Sequence, residues 1–572
     1  MEVEKKIRIA IIGGGPAGLF MLKHLVNLQQ EAIAITIFEK KQDFGAGMPY
    51  SEEGASCEHV TNISGNEIPG LTREIKSWVN TANKSLLQKF NINAETFNDY
   101  KVLPRLFFGA YLSSQFKSFL HKASGKGIKV ELKSNTRIID VKYDAGNGVV
   151  EICDDNNNAW NFDIAIMCMG HVWQTTNEGK INGWYDSPYP PSKLAQVANY
   201  PVAIRGASLT AIDAIKTLAH ANGQFHKNED HSLTYTLNRG SEKFRLVLHS
   251  LHGLLPAIRF HLEEPKLKSE SLDVNEMRSV MEVNDGFVPL DYIFDKGFKQ
   301  PLKEVNPELF DVIKTMNVEE FVAHVLSLRE SINAFDLFKA EYREAEKSIR
   351  RRKPVYWKEL LAELSYSLNY PAKHFSAEDM LRLKNSLMPL ISIIIAFVPQ
   401  SSCRELLALY DAGVLDLVPV ESNSEVFPAK DGSGIIYSVM NEEGQKQESL
   451  YKMFIDAIGQ KPVDYADFPF TGLKKSGSVS EAFLKFRDKA KGKQHFENNS
   501  AGILRVEPDH YYLRVPGVNI NDHFQLLDQY NAGNTSLYIM AVPYIAGLNP
   551  DYSGLDFCET AGSRIAAAIG NS

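Results

Sequence analysis

Residues 7–39, IRIAIIGGGPAGLFMLKHLVNLQQEAIAITIFE, constrain the fold more than any other segment. A short apolar run, Ile7 to Ile12, opens into Gly13-Gly14-Gly15-Pro16-Ala17-Gly18. Helical spacing follows, with Leu19, Leu22, Leu25 and Val26 on one face, and then a β-rich run from Ile33 to Phe38 that ends at Glu39. A GxGxxG turn acquires meaning only between a strand and a helix, and here both are present. Gly13 is expected to make the tight turn. Gly15 should let the backbone approach a pyrophosphate on the helix N-terminus, and Gly18 should let helix and sheet pack closely. Glu39, 21 residues beyond Gly18, stands where an acid hydrogen-bonds an adenosine ribose. The segment predicts a dinucleotide site.

At 572 residues the chain is long enough for two or three domains. Its net charge of -8 gives no global pull toward nucleic acid or an anionic membrane. The N-terminal apolar stretch is too short for a signal peptide and leads straight into the glycine turn. The run Met388 to Val398 is too short to span a bilayer. Five scattered cysteines (Cys57, Cys153, Cys168, Cys403, Cys558), with no CxxC, speak against a disulfide framework, a zinc site and a dithiol flavoenzyme. They read as buried small hydrophobes in a reducing cytoplasm, and no metal site is expected.

After Glu39 comes a glycine-rich stretch, Gly45 to Ser51. Residues 71–90 and 106–124 read as helices. Lys129–Leu132, Thr136–Tyr143 and Val149–Cys153 read as an antiparallel meander. It leads into Ile164–Met169, an apolar run stopped by Gly170, as suits a parallel strand buried on both faces. A second unit begins at Pro201: a strand to Arg205, a turn through Gly206-Ala207-Ser208 into a helix, and a strand Phe244–His249. Residues from about 270 to 400 are helical in pattern. Met453–Gly459 then repeats the strand-to-glycine motif, and the chain closes with a strand Ser536–Val542 and a helix from about Glu559. The expected fold class is α/β. It has two Rossmann-like dinucleotide-binding domains with antiparallel β-meander inserts and a large helical insertion. The boundaries are 1–185 plus 460–572 for the first domain, 186–265 plus 401–459 for the second, and 266–400 for the insertion, a candidate substrate lid.

The ordered set GGGPAGL (13–19), GAGMPYS (45–51), HVTNI (59–63), PRLFFGAYL (104–112), MCMGH (167–171), GASLTAID (206–213), SLHGLLP (250–256), LYDAGVL (409–415), DAIG (456–459) and LYIMAVP (537–543) resembles the two-dinucleotide-domain flavoproteins. It is most similar to the bacterial FAD/NAD(P)-binding family related to flavin-containing and N-hydroxylating monooxygenases. The resemblance implies FAD on the first unit and NADPH or NADH on the second. It carries Gly13, Gly15, Pro16, Ala17, Gly18, Glu39, Lys40, Gly47, Tyr50, Asn62, Arg105, Gly170, Val542, Pro543 and Gly547 over as FAD contacts, and Gly206, Ser208, Leu209 and Thr210 as nicotinamide-dinucleotide contacts. The chain departs from the family at Ser208, where a second glycine is usual, and at Leu251 and His252, where a basic residue suited to a 2′-phosphate is usual.

For the reaction, the resemblance implies a cytoplasmic monooxygenase using O2, a flavin C4a-(hydro)peroxide and a small-molecule substrate. A flavin oxidase or dehydrogenase with a degenerate nicotinamide site stays open beside it, as does a non-catalytic redox-sensing or interaction module. Tyr50, His59, Asn62 and His171 are the catalytic candidates; a histidine titrates near neutrality and can serve as acid or base. The Gly547–Asp556 loop is expected over the flavin pyrimidine, beside a helix N-terminus that favours negative charge. The run Arg350-Arg351-Arg352-Lys353 reads as a solvated helix end or an acceptor of an acidic group.

Overall fold

Continuous apolar runs fold here as central strands of parallel sheets, because both faces of such strands are covered. The computed structural model describes residues 6–28, 33–230, 232–262, 274–440, 444–551 and 553–571. Residues 1–5, 266–273 and Tyr552, on which parts of the leader, insertion and C-terminal-loop expectations fall, lie outside the described residues.

The first sheet has six strands in the order Gln525–Leu527, Gly533–Ile539, Ile164–Met167, Ile7–Ile12, Ile33–Phe38 and Lys129–Lys133. All neighbours are parallel except the first pair. The second sheet is wholly parallel: Trp184–Tyr185, Met453–Asp456, Pro201–Arg205, Arg245–Leu251 and Leu415–Val420. The two share one layout. In each, the strand before the glycine turn lies between the strand that follows its helix and an apolar strand that returns much later. The fold class is the expected one, α/β with two Rossmann-like sheets.

Lys129–Lys133 departs from the expected meander. It is the parallel edge strand of the first sheet, paired with Ile33–Phe38. The long helix Arg105–Gly125 makes the crossover that a parallel pairing requires, and an edge position accounts for its mostly polar pattern. The meander itself is Ile138–Asp144, Val149–Asp154 and Ala159–Phe162. A second meander, Glu425–Pro428, Ile435–Met440 and Lys446–Tyr451, covers the second sheet. The helix expected over 71–90 is two short helices, Ile75–Val79 and Lys84–Lys89; Asn83 caps the second by accepting from the Ser85 N–H. Val542, expected to end a strand, instead starts the helical turn Val542–Ile545, with Pro543 in its first turn.

The helical insertion leaves and re-enters the second unit at one place. The Ala257 N–H donates to Ile393 O, the Val398 N–H to Ala257 O and the Arg259 N–H to Val398 O. The entry and exit segments thus clasp each other through an isolated bridge between Ile258 and Val398. Among the described residues no helix is long and apolar enough to cross a membrane.

Candidate functional site

The first glycine turn is held by contacts that exclude side chains. Gly13 has φ +112°, and a Cβ there would lie 2.4 Å from the Cys168 carbonyl oxygen. A Cβ on Gly18 would meet Gly13 O at 2.2 Å, so that glycine allows the helix its close approach. Gly15 is glycine for a reason the sequence did not disclose. Its backbone is extended (φ −77°, ψ −159°) and open to any residue, but a Cβ would meet the Gly47 Cα at 3.2 Å. The two glycines pack backbone to backbone, and a Cβ on Gly47 would also meet Pro16 Cδ at 2.7 Å. The helix Pro16–Asn27 starts there with no side-chain cap. Its first N–H groups have no intrahelical partner, and they carry the positive end of the helix dipole. Glu39 is buried beside them: Oε2 accepts from the Gly14 N–H at 2.8 Å and Oε1 from the Lys41 N–H at 3.1 Å. Pro16 and Ala17 are partly exposed at the turn, and Lys40 is exposed.

The second turn copies the first. Gly206 has φ +107°, and a Cβ there would lie 2.8 Å from Ala457 O, as that of Gly13 would from Cys168 O. The Gly206 N–H donates to His249 O just as the Gly13 N–H donates to Phe38 O. Ser208 has nearly the backbone of Gly15 (φ −87°, ψ −166°), so a side chain fits without strain. That side chain is exposed and does not cap the helix Leu209–Asn222, whose first residues Leu209 and Thr210 are partly exposed. The same register sets Ser250 where the first unit has Glu39. Ser250 is buried and its Oγ donates to Leu254 O at 2.6 Å. Next to it His252 lies 3.7 Å from Glu330 and 4.0 Å from Glu421. Of the arginines nearby in sequence, Arg205 is paired with Asp456 and Arg259 with Glu67.

Between the two units lies a polar junction centred on Asp213. Its Oδ2 accepts from Arg105 at 2.5 Å and from the Tyr189 hydroxyl at 2.6 Å. Arg105 also donates to Val60 O at 3.0 Å. The guanidinium is nearly buried; burial opposes its charge, and Asp213 outweighs burial and raises its pKa. Burial and Asp213 raise the Tyr189 phenol, which therefore serves as a donor. His59, fully buried, accepts from the Ser56 N–H on Nδ1. That leaves Nε2 as the donor toward Asp213 O and Thr217 Oγ1, each at 3.1 Å. Burial lowers its pKa against the pull of Asp213, so it is neutral at pH 7. Arg105 and His59 thus join the first unit to the helix Leu209–Asn222. His171 is exposed and pairs with Gln460 at 2.5 Å.

A cavity of about 90 Å3 lies where the first unit meets the helical insertion and the C-terminal loop. Asn62, Ile63 and Glu67 line it from the first unit, Arg259, Tyr366, Ile395 and Phe397 from the insertion and its roots, and Asp551, Ser553 and Asp556 from the C-terminus. Arg259 is buried and bonded to Glu67, Ser64 Oγ and Asn62 O, so it fixes the Asn62 loop. Phe397 holds φ +51°, a strained conformation for a bulky residue, at the cavity wall. From the insertion, Ser365 donates to Asp551, Asn369 Oδ1 accepts from the Asp551 N–H, and the Asn549 amide donates to Asn369 O. Ser553 N-caps the helix Gly554–Gly570 without a side-chain bond. Tyr50 packs edge-on to Phe108 at 4.9 Å; burial pushes its phenol up to about 12 despite Arg105 nearby, so it keeps its proton. Gly170 has nothing within 4 Å of a built Cβ, while Gly547 packs on Pro516 O, where a Cβ would lie 2.1 Å away. Pro543 O accepts from the Val463 N–H.

The structure thus brings Asn62 to the cavity, puts the glycines and Glu39 at one helix N-terminus, and sets Arg105 and His59 in the inter-unit junction. Sequence reading missed Asp213, Tyr189, Glu67 and Tyr366, and it covered Asp551 only as part of the Gly547–Asp556 loop. Asp213 carried a signal as the last residue of the GASLTAID motif. The first turn fits FAD: a helix N-terminus with no side-chain cap for the pyrophosphate, glycines where a Cβ would crowd the turn, and a buried carboxylate with lone pairs left for a ribose.

Residues 10–172 match the family described as FAD-NAD(P)-binding, and residues 274–395 match the YdhS-like middle domain. The protein YdhS of Escherichia coli (strain K12), described as uncharacterized, is 26% identical over 472 residues, which is 82% of this chain and 86% of the relative. Among solved structures, the chain is similar to the ornithine hydroxylase PvdA of Pseudomonas aeruginosa in its reduced form, at 11% identity over 99% of both chains with a TM-score of 0.49. It is also similar to the bacillithiol disulfide reductase Bdr of Bacillus cereus, at 11% identity over 99% of both chains with a TM-score of 0.39.

Proposed function

We propose that this chain, whose residues 10–172 match the FAD-NAD(P)-binding family, is an FAD-dependent oxidoreductase acting on a small molecule, and specifically a monooxygenase. One observation carries the cofactor: the uncapped N-terminus at Pro16, with Glu39 pinned to the Gly14 amide. FAD bound there supplies electron transfer and, once reduced, reactivity toward O2. The chain's own part is to bind, orient and enclose. Glu39 takes the ribose, and the helix N-terminus takes the pyrophosphate. The cavity between Asn62, Tyr366 and Asp551 admits the substrate, and the insertion shields it from water. Tyr50, still protonated at neutral pH, is a donor on that side of the first unit.

A second reading, a flavin oxidase or dehydrogenase, is favoured by Ser208 and Ser250, which stand where Gly15 and Glu39 stand in the first unit. Anaerobic mixing separates the two. The purified chain should be yellow with FAD. Rapid bleaching by NADPH or NADH supports the monooxygenase. Bleaching by neither, with Ser208→Gly gaining it, supports a blocked second site. A wild-type chain that takes up no FAD ends both readings.

A further inference from the structure

One corner of the second unit is built from three separate elements. The Gly206 N–H bonds to His249 O as the Gly13 N–H does to Phe38 O, so the two units align residue by residue past these strands. Ser250 then holds the place of Glu39, and Leu251 and His252 hold the places of Lys40 and Lys41. In such a unit a carboxylate at the first position binds the adenosine ribose, and a cation close by accommodates a 2′-phosphate. Ser250 supplies no carboxylate. It is buried, and its hydroxyl donates to Leu254 O. Leu251 is 54% exposed and carries no charge.

Two carboxylates reach this corner from elsewhere. Glu421 follows the strand Leu415–Val420, which pairs with Arg245–Leu251, and the His252 N–H donates to Val420 O. Glu330 ends the helix Val318–Glu330 of the insertion. Its neighbour Arg329 anchors that helix end, donating to Leu255 O at 3.1 Å and to the buried Glu341 at 2.8 Å. Glu330 and Glu421 flank His252 at 3.7 and 4.0 Å, beyond hydrogen-bond reach, and neither has another ion pair or side-chain hydrogen bond among the described residues. The C-terminal pole of the same helix adds negative partial charge. Even a protonated His252 would leave the corner net negative. Other cations nearby in sequence do not reach it. Arg205 is held by Asp456 and Arg259 by Glu67. Arg239 lies at the opposite end of the helix Leu209–Asn222, where the Asn238 N–H donates to Asn222 O.

Resting on the reading that the second unit takes a nicotinamide dinucleotide, we propose that it selects NADH, whose adenosine 2′-hydroxyl is free, and rejects the 2′-phosphate of NADPH. Glu330 and Glu421 accept from the ribose hydroxyls in place of the carboxylate that Ser250 lacks. The same two charges repel a 2′-phosphate, and neither Leu251 nor His252 offers the guanidinium fork that would offset them. One corner thus supplies both the attraction and the repulsion that selectivity needs. Through Glu330 the insertion becomes part of the nucleotide site.

Calorimetry on the FAD-loaded full chain, with ADP-ribose and 2′-phospho-ADP-ribose as probes, reads this selectivity without turnover. ADP-ribose should bind about tenfold or more tighter, and the gap should narrow as salt rises. Anaerobic bleaching should likewise saturate at about tenfold or more lower NADH than NADPH. Glu330→Gln combined with Glu421→Gln should weaken ADP-ribose and close most of the gap. Adding His252→Arg should turn the preference toward the 2′-phosphate. All three positions are exposed, and unchanged melting curves show that the fold is kept. Wild type that binds the 2′-phosphate probe as tightly as ADP-ribose overturns the proposal and leaves the nicotinamide reading standing. So does a gap that persists unchanged in the Glu330→Gln, Glu421→Gln chain. Binding of neither probe, with bleaching by neither dinucleotide, overturns that reading and the proposal with it.

Discussion

A methyl group at Gly13 would collide with a backbone oxygen that cannot move without breaking the sheet. The built Cβ lies 2.4 Å from Cys168 O, and the Cys168 N–H is itself bonded to Ile12 O. At φ +112° an alanine is also strained. Gly13→Ala should therefore cost about 3 kcal/mol or more, seen as a large drop in melting temperature or in soluble yield. Gly170 is the contrast. Its built Cβ meets nothing within 4 Å, and its φ is not positive. Gly170→Ala should change stability by no more than about 0.5 kcal/mol. A loss of FAD affinity in that variant, with the fold kept, would place the cofactor against Gly170. A Gly13→Ala chain as stable as wild type would refute the steric account. The turn was legible in the sequence because it is local: six consecutive residues carry it. The role of Gly15 was not, because Gly47 closes against it from a loop whose path no periodicity reveals.

Helices and strands were legible where their pattern was a matter of their own burial, and less so where a partner decided the outcome. Pro201–Arg205 reads as a strand from its own residues, and the structure has it there. Lys129–Lys133 also reads as a strand, but its sheet depends on the helix Arg105–Gly125 that delivers it. The docking of helix Leu209–Asn222 on the first unit lay beyond reach altogether, since Arg105 and Asp213 are 108 residues apart. That contact carries its own prediction. Asp213→Ala leaves the buried Arg105 guanidinium without its carboxylate and Tyr189 without its acceptor. Removing one partner of a buried ion pair costs about 3–5 kcal/mol. Asp213→Asn, which keeps an acceptor, should cost less. Urea unfolding of the three chains gives the order. Equal stability of Asp213→Ala and wild type would mean that solvent already shares the arginine.

At the scale of the whole molecule, the two units are built on one plan but differ in how they meet acid. Phe38 in the first unit packs on Trp160 and Phe162 of its meander, with ring centroids 5.1 and 5.9 Å away. His249 is its counterpart in the second and stacks on Tyr437 of the other meander at 3.7 Å. His249 is buried, its Nδ1 has no partner, and burial pushes its pKa down to about 4. An unfolded histidine takes its proton near pH 6.5, and the folded one only near 4. Between those values the unfolded chain binds more protons, so stability is fully present above about pH 6.5 and falls as the pH drops through that window. By pH 5 the loss from His249 should reach about 2 kcal/mol. His59, lowered in the same direction by burial, adds to it. His249→Phe restores the residue of the first unit, keeps an aromatic stack and has no proton to accept. It should fold, match wild type near neutrality within about 1 kcal/mol, and lose markedly less stability between pH 7 and pH 5. Urea midpoints at the two pH values measure it directly, and a variant that loses as much as wild type would show that the acid sensitivity arises elsewhere in the molecule.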